Sequence, residues 1–112
     1  MLKGRAEAAS ADPSAVFAAL GDRTRLALLT KLGEGEKYSI AQLSADSRLT
    51  RQAITKHLRV LENAGLVRSS RNGRESRYAL CPGAIVEAKA YLDMVSAQWD
   101  DALGRLRAFV EE

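Results

Sequence analysis

Hydrogen-bonding side chains that can contact base edges and phosphates cluster near the middle of the chain. In a predicted helix over residues 51–64, the apolar residues Ile54, Leu58 and Leu61 share one face. The candidate N-cap Thr50 precedes the helix, and the opposite face carries Arg51, Gln52, Thr55, Lys56 and Arg59. We expect Arg51 and Gln52 to read bases, because arginine pairs well with guanine and glutamine with adenine. Thr55, Lys56 and Arg59 are expected to contact phosphates or to make mixed contacts.

A second group of cations surrounds Asn72-Gly73, a dipeptide typical of two-residue turns between antiparallel strands. Strands are predicted over residues 66–70 and 74–80, so Arg71 and Arg74 flank the turn. Arginine at such a tip can enter a narrow minor groove, where the negative potential is enhanced. The residues of this hairpin expected to contact DNA are Arg68, Arg71, Asn72, Arg74 and Arg77. The alternative for both groups is a charged surface that only meets solvent.

The distribution of charge favours contact with phosphates. The formal net charge is only +3. Residues 48–77, however, hold eight basic and two acidic side chains, whereas residues 83–112 hold three basic and six acidic ones. Positive charge is therefore concentrated on the predicted helix and hairpin, as nucleic-acid binding requires.

Cap and stop residues divide the rest of the chain into helices. Asp12-Pro13 predicts a first helix that ends at Gly21, and Asp22 predicts the cap of a second. The apolar face of this second helix is expected to contain Leu26, Leu28, Leu29 and Leu32. A very short strand is predicted at residues 37–38, and Ser39 could cap a third helix. A loose lead-in is expected over residues 1–12.

The order of these elements predicts the fold class. The third helix, a four-residue turn and the helix capped by Thr50 have the spacing of a helix-turn-helix. The hairpin adds a wing, so we expect a mostly α chain with a small β-hairpin wing. Residues 1–112 are predicted to form a single winged helix-turn-helix domain with the element order α1-α2-(β1)-α3-α4-β2-β3-α5.

A long helix is predicted from Gly83 or Ala84 to the end of the chain. Apolar residues recur every seven positions along it, at Ile85, Leu92, Trp99 and Leu106, and Ala88, Val95, Leu103 and Val110 lie between them. This spacing gives a continuous apolar seam of the kind that pairs helices. We interpret residues 84–111 as a dimerisation helix, and packing within the same chain is the alternative.

Other classes of protein fit the sequence poorly. No apolar run approaches the roughly 18 residues of a membrane span, and no cleavable signal is evident. The single cysteine, Cys81, excludes an intramolecular disulfide and is typical of a reducing cytoplasm. His57 flanks the apolar face of its helix, which favours packing over metal ligation. Neither residue is accompanied by an orienting carboxylate or an oxyanion loop, so no enzymatic activity is expected.

Several sequence blocks together resemble the ArsR family of bacterial winged-helix repressors, over residues 16–112. They are VFAALGDRTRLALL, LTRQAITKHLRVLENAGLV, GRESRYAL and the tryptophan-containing YLDMVSAQWDDALGRLRAFVEE. The resemblance implies a cytoplasmic homodimer that represses its own or a neighbouring operon. It places operator contacts on the fourth helix and the wing, and in this chain they fall on Thr50, Arg51, Gln52, Thr55, Lys56 and the wing arginines. It places dimer contacts on the first and last helices, at Val16, Phe17, Leu20, Ile85, Leu92, Val95, Trp99, Leu103, Leu106 and Val110.

The chain departs from the family patterns that bind metals or use paired thiols. Residues 40–47 contain no cysteine, residues 83–112 contain no histidine, and the chain has one cysteine in total. Arg23 also replaces the proline typical of the loop before the second helix. We therefore expect no metal and no cofactor. The expected partners are double-stranded operator DNA and a second copy of the chain, and an unidentified small-molecule inducer remains open.

Two alternatives to a repressor stay open on sequence alone. The first is a winged helix whose basic face meets an acidic protein. The second is a sensor of the same fold that responds to a small molecule at the dimer interface near Trp99, or to redox state through Cys81.

Overall fold

The computed structural model describes residues 12–45 and 47–111. Five helices and three strands make up this part of the chain. In chain order they are α1 (Pro13–Leu20), α2 (Arg23–Leu32), β1 (Tyr38–Ser39), α3 (Ile40–Ala45), α4 (Arg51–Asn63), β2 (Val67–Asn72), β3 (Glu75–Leu80) and α5 (Pro82–Glu111). The fold is a winged helix-turn-helix, as predicted. Of the expected lead-in over residues 1–12, only Asp12 lies within the described residues.

The side chains predicted to cap helices do so. Asp12 accepts hydrogen bonds from the backbone N–H groups of the first turn of α1, and Pro13 occupies that turn. Asp22 accepts from the backbone N–H of Arg25 at 3.0 Å. Thr50 Oγ1 accepts from the backbone N–H of Ala53 at 3.0 Å, which fixes the start of α4.

The helix α3 begins with a reciprocal pair of capping bonds. Ser39 Oγ accepts from the backbone N–H of Gln42 at 3.1 Å, and Gln42 Oε1 accepts from the backbone N–H of Ser39 at 2.8 Å. This is a capping box, which satisfies two N–H groups that the helix itself leaves unpaired. It confirms Ser39 as the cap and fixes the first helix of the helix-turn-helix against β1.

The three strands form an antiparallel sheet in the order β1-β3-β2. The strand predicted at residues 37–38 lies one residue later, because Tyr38 and Ser39 are the residues that pair with β3. In the hairpin, Val67 pairs with Leu80 at the base and Asn72 pairs with Glu75 at the tip.

The turn of the hairpin is one residue later than the sequence predicted. Asn72 belongs to β2, so the two-residue loop is Gly73-Arg74 rather than Asn72-Gly73. Gly73 has φ +68°, and no non-glycine residue of the described chain has a positive φ. Only the first loop position therefore needs the left-handed region, which is the pattern of a type II′ turn. As a result Arg74 lies in the loop itself.

The core lies between the helix-turn-helix and the sheet. Ile54, Leu58 and Leu61 of α4 are each 0% exposed, and Leu66 and Val67 are also buried. The apolar face predicted for α2 is confirmed at Leu28, Leu29 and Leu32, but Leu26 is 48% exposed. Leu26 lies about 110° from the centre of that face, which places it outside the contact with the core.

The final helix α5 starts at Pro82, earlier than predicted, because proline is compatible with the first turn of a helix. Its only buried residues are Ala84 and Ala88, in its first two turns. Phe17 of α1 packs against Tyr91 with ring centroids 5.8 Å apart. Beyond this contact the helix continues away from the core. No helix in residues 12–45 or 47–111 is long and apolar enough to cross a membrane.

Candidate nucleic-acid interface

The polar face of α4, defined as Arg51, Gln52, Thr55, Lys56 and Arg59, points away from the core. All of these residues are exposed except Thr55, which is half-buried. The opposite face of the same helix is fully buried. The division into two faces that the sequence predicted is therefore present, and a buried stripe holds the polar side chains outward.

The two threonines of this region already have local partners. Thr50 Oγ1 accepts the capping bond, so its hydroxyl hydrogen remains able to donate to a phosphate oxygen. Thr55 Oγ1 instead donates to the backbone carbonyl of Arg51 at 2.7 Å. Because a phosphate only accepts, Thr55 would have to give up this bond to donate to DNA.

The arginines of the wing lie on both faces of the hairpin. Alternation along β2 places Arg71 on the same side as Val67, which faces the core, and places Arg68 on the outer side. Arg77 is also on the outer side, where Nε donates to Glu75 Oε1 at 3.4 Å. With its amide oriented to satisfy both groups, Asn72 accepts from Arg77 Nη1 at 3.1 Å. Arg77 and Asn72 are thus held by each other.

The start of α4 and the turn of the wing share one open cleft of about 390 Å³. Arg51 and Thr55 line it from α4, and Arg74 lines it from the hairpin turn. Residues 39–41 and 75–76 complete the lining. The structure therefore brings together cations that the sequence separates by more than twenty residues. It leaves Arg68 and Arg77 outside this cleft.

Most of the predicted contact residues are not engaged in the chain. Within residues 12–45 and 47–111, no hydrogen bond or ion pair involves the side chains of the following residues: Arg51, Gln52, Lys56, Arg59, Arg68, Arg71 and Arg74. Exposed cations without a partner within the protein can meet phosphates without first breaking an ion pair. This favours electrostatic contact with a polyanion.

A contact that the sequence did not reveal joins the wing to α4. Ser69 Oγ donates to Glu62 Oε2 at 3.1 Å, seven residues away in sequence. Burial raises the pKa of Tyr78 on β3, the negative charge of Glu62 raises it further, and Arg59 opposes the shift. Glu62 therefore joins α4 to strand β2 of the wing. No pattern in the sequence indicated this, because the pairing depends on how β2 crosses the helix.

His57 has the half-buried position expected of it, with 24% of its side chain exposed. Its Nδ1 lies 3.4 Å from Nη1 of Arg25 and 4.0 Å from Oδ1 of Asp22. The backbone N–H of Arg25 lowers the pKa of Asp22, and the charges of Arg25 and His57 lower it further. The role of Arg25 was also missed from the sequence. In the part of the chain described here, no three His, Cys, Asp or Glu side chains are grouped to hold a metal ion.

The fold and this interface define the class of the protein as a winged helix-turn-helix DNA-binding protein. The family model described as bacterial regulatory protein, arsR family, matches residues 22–69. An uncharacterized HTH-type transcriptional regulator of Bacillus subtilis, YuzN, is 47% identical over 66 residues, which cover 54% of this chain and 72% of that protein.

Solved structures agree with these sequence matches. An ArsR-like transcriptional regulator from Rhodococcus sp. RHA1 superposes with a TM-score of 0.78 at 37% identity, covering 88% of this chain and 92% of that one. A homodimeric winged helix-turn-helix DNA-binding domain from Mycobacterium bovis, 22% identical and covering 82% of both chains, has the same fold with a TM-score of 0.58. The chain belongs to the ArsR family of DNA-binding transcriptional regulators, which are not enzymes.

Proposed function

We propose that this regulator is a repressor that binds a pseudo-palindromic operator as a homodimer and controls its own operon. The observation that carries the proposal is the shared cleft, which Arg51 at the start of α4 and Arg74 in the wing turn both line. A duplex that follows this concave surface would meet the helix in its major groove and the wing in an adjacent minor groove.

The residues of α4 are assigned roles by their chemistry and position. Arg51 and Gln52 lie in the first turn, the end of a recognition helix that usually enters the major groove, and are the proposed base readers. Lys56, Arg59 and the Thr50 hydroxyl are proposed to contact phosphates, and Thr55 contributes if its bond to the Arg51 carbonyl opens.

The residues of the wing are assigned in the same way. Arg71 and Arg74 are proposed to contact the minor groove from the tip of the hairpin. Arg68, Asn72 and Arg77 complete the set from the outer face of the sheet.

The proposed homodimer rests on α5. Its apolar stripe is largely exposed: Leu92 is 53% exposed, Trp99 63%, and Leu103 and Leu106 57% each. An exposed stripe of this length is typical of a helix that pairs with a second chain. Ile85, Val95 and Val110 continue the proposed interface along α5, and Phe17 and Leu20 extend it on α1. Val16 is 5% exposed, so its packing lies within the subunit.

Two-fold symmetry gives the proposed dimer its geometry on DNA. It would present two α4 helices about 34 Å apart, one turn of the duplex. The related Mycobacterium bovis domain is itself homodimeric.

We further propose that the regulator acts in the cytoplasm and does not respond to metals. The support for the second point is the inventory of ligands: one cysteine and one histidine in the whole chain. His57 is already in contact with Arg25 and Asp22. A small-molecule inducer, if one acts, would have to work through the dimer interface or the helix-turn-helix.

The wing assignment is tested by the salt dependence of DNA binding. In the double variant Arg71→Ala/Arg74→Ala, binding should weaken on all sequences. The slope of log K against log salt should become shallower by up to about 3.6, since the homodimer loses four cations and each neutralised phosphate contributes about 0.9. The matched control is Arg105→Ala/Arg107→Ala, which removes the same charge from exposed positions on α5.

An unchanged slope in the wing variant would exclude the wing from the interface. Titration of the wild-type protein with random duplex at low salt separates the proposal from its main alternative. A winged helix that binds an acidic protein should show little affinity there, and that result would contradict DNA binding through this face.

A further inference from the structure

A polar bridge joins α1, α2 and α4. Its central group is the guanidinium of Arg25, which is 17% exposed. Arg25 Nε donates to the carbonyl of Ala19 at 2.7 Å, and Nη2 donates to the carbonyl of Ala18 at 3.3 Å. Both carbonyls belong to the last turn of α1, where the Ala18 carbonyl also accepts from the backbone N–H of Gly21 at 3.2 Å. Arg25 thus caps α1 from outside.

The same guanidinium also contacts the middle of α4. Arg25 Nη1 lies 3.4 Å from Nδ1 of His57 on α4 and 3.9 Å from Oδ2 of Asp22, the cap of α2. Because an arginine only donates, this contact is a hydrogen bond when Nδ1 of His57 is the unprotonated ring nitrogen and accepts. One side chain of α2 therefore connects the end of α1 to α4.

The apolar contact between α1 and α4 is made largely by small side chains. Between them lies a shallow groove of about 320 Å³ lined by Ala15, Ala18 and Ala19 of α1 and by Val60, Asn63 and Ala64 of α4. Most of these side chains are single methyl groups, which interdigitate little. Arg25 forms part of the same groove wall. Its directional hydrogen bonds supply the geometric restraint that these small side chains do not.

The position of the bridge connects it to the proposed dimer. The helix α1 packs on α5 through Phe17 and Tyr91, and α5 carries the exposed apolar stripe. The angle between α1 and α4 therefore contributes, together with the burial of Ala84 and Ala88 in the core, to how far apart two α4 helices are held in a dimer.

We propose that Arg25 is a positioning residue that sets the half-site spacing accepted by the DNA-bound homodimer, with His57 as its acceptor on α4. The proposal rests on the proposed function, because it needs two chains bound to two half-sites. It predicts that weakening the bridge leaves contact with each half-site intact but allows other spacings.

The test measures spacing preference directly. Duplexes selected from a random pool by the wild-type protein supply the half-site, which is then placed in a library of pairs separated by spacers that differ by single base pairs. Competitive binding and sequencing give the relative affinity for each spacing. The wild-type protein is expected to prefer one spacing sharply, and its affinity for a duplex with a single half-site is the reference.

In Arg25→Gln the preference for the best spacing over its neighbours should fall by about tenfold, since hydrogen bonds to a charged group contribute that much or more. Affinity for the single half-site should remain within about twofold, which is about three-tenths of a tenfold change in free energy. Arg25→Lys keeps the charge but not the forked geometry. Its spacing preference should lie between those of the wild-type protein and Arg25→Gln. His57→Leu removes only the acceptor on α4 and tests the bridge without disturbing the cap of α1.

The control is Arg23→Ala, which removes an exposed arginine two residues earlier on the same helix and should leave the spacing preference unchanged. Unchanged spacing preference in both Arg25→Gln and His57→Leu would overturn the proposal. An equal loss of affinity for every spacing and for the single half-site would show a structural role only and would also overturn it. A wild-type protein without any spacing preference would contradict the homodimeric function on which the proposal rests.

Discussion

The helices α4 and α5 are both amphipathic, but they use their apolar faces differently. In α4 the stripe formed by Ile54, Leu58 and Leu61 is completely buried within the chain. In α5 only Ala84 and Ala88 are buried, and the larger residues of the stripe are exposed. Helix α4 has the whole of this stripe in contact with the core of its own chain. Helix α5 presents most of its apolar stripe to solvent.

This difference assigns the two helices different tasks. A helix whose apolar stripe is buried in its own chain holds its polar face in a fixed direction, which base readout requires. A helix whose stripe is exposed gains free energy when a second chain covers it. The domain therefore has a part that is complete within one chain and a part that, in the proposed homodimer, two chains complete together. The following predictions test that distinction, starting with the largest expected effect.

Two charges placed in the exposed stripe should separate the dimer. In Leu103→Asp/Leu106→Asp, pairing would bury unpaired carboxylates, so the dissociation constant of the dimer should rise by about a hundredfold or more. Sedimentation equilibrium over a range of concentrations measures it. The matched control is Ala97→Asp/Ala108→Asp, which adds the same charges to exposed positions of α5 outside the stripe. Equal effects of the two pairs would exclude the stripe as the interface.

Truncation inside the buried stripe of α4 should destabilise the chain itself. Leu58→Ala should lower the free energy of unfolding by about 2–5 kcal/mol, because Leu58 is 0% exposed and the cavity cannot collapse fully. Urea unfolding measures the loss. Val60→Ala, at a position 40% exposed on the same helix, should change stability by only about 0.5 kcal/mol. A comparable loss in both variants would mean that the two faces of α4 are not distinct.

Removal of the cap should weaken the start of α4 by a smaller amount. Thr50→Ala removes the acceptor for the N–H of Ala53 and should cost about 1 kcal/mol of unfolding free energy. Thr50→Ser keeps the acceptor and should restore most of the stability. If the serine variant is as unstable as the alanine variant, the loss arises from the methyl group rather than from the cap.

The sequence was sufficient for features that depend on the period of a helix or on a local cap. The faces of α4 follow from the spacing of Ile54, Leu58 and Leu61, and the caps at Asp12, Asp22 and Thr50 follow from their own residue types. The hairpin was predicted, but its turn was displaced by one residue. The sequence contains a glycine that can occupy either loop position, and only the pairing of Asn72 with Glu75 decides between them.

The sequence was insufficient for features that depend on how distant elements meet. Leu26 belongs to a leucine-rich helix, yet the orientation of that helix leaves it exposed. The bond from Ser69 to Glu62 and the bridge from Arg25 to His57 join segments whose approach is decided by packing of the whole chain. The sequence marked these side chains as polar, but it did not show which of them would become partners.

Paired DNA reading by α4 is tested most directly by a hydroxyl-radical footprint of the wild-type protein on a fragment recovered from its own genome. We expect two protected patches related by two-fold symmetry, with centres about 10 base pairs or a multiple of that apart, and two chains per duplex. A single asymmetric patch occupied by one chain would contradict the claim that α4 reads DNA in a pair that α5 holds together.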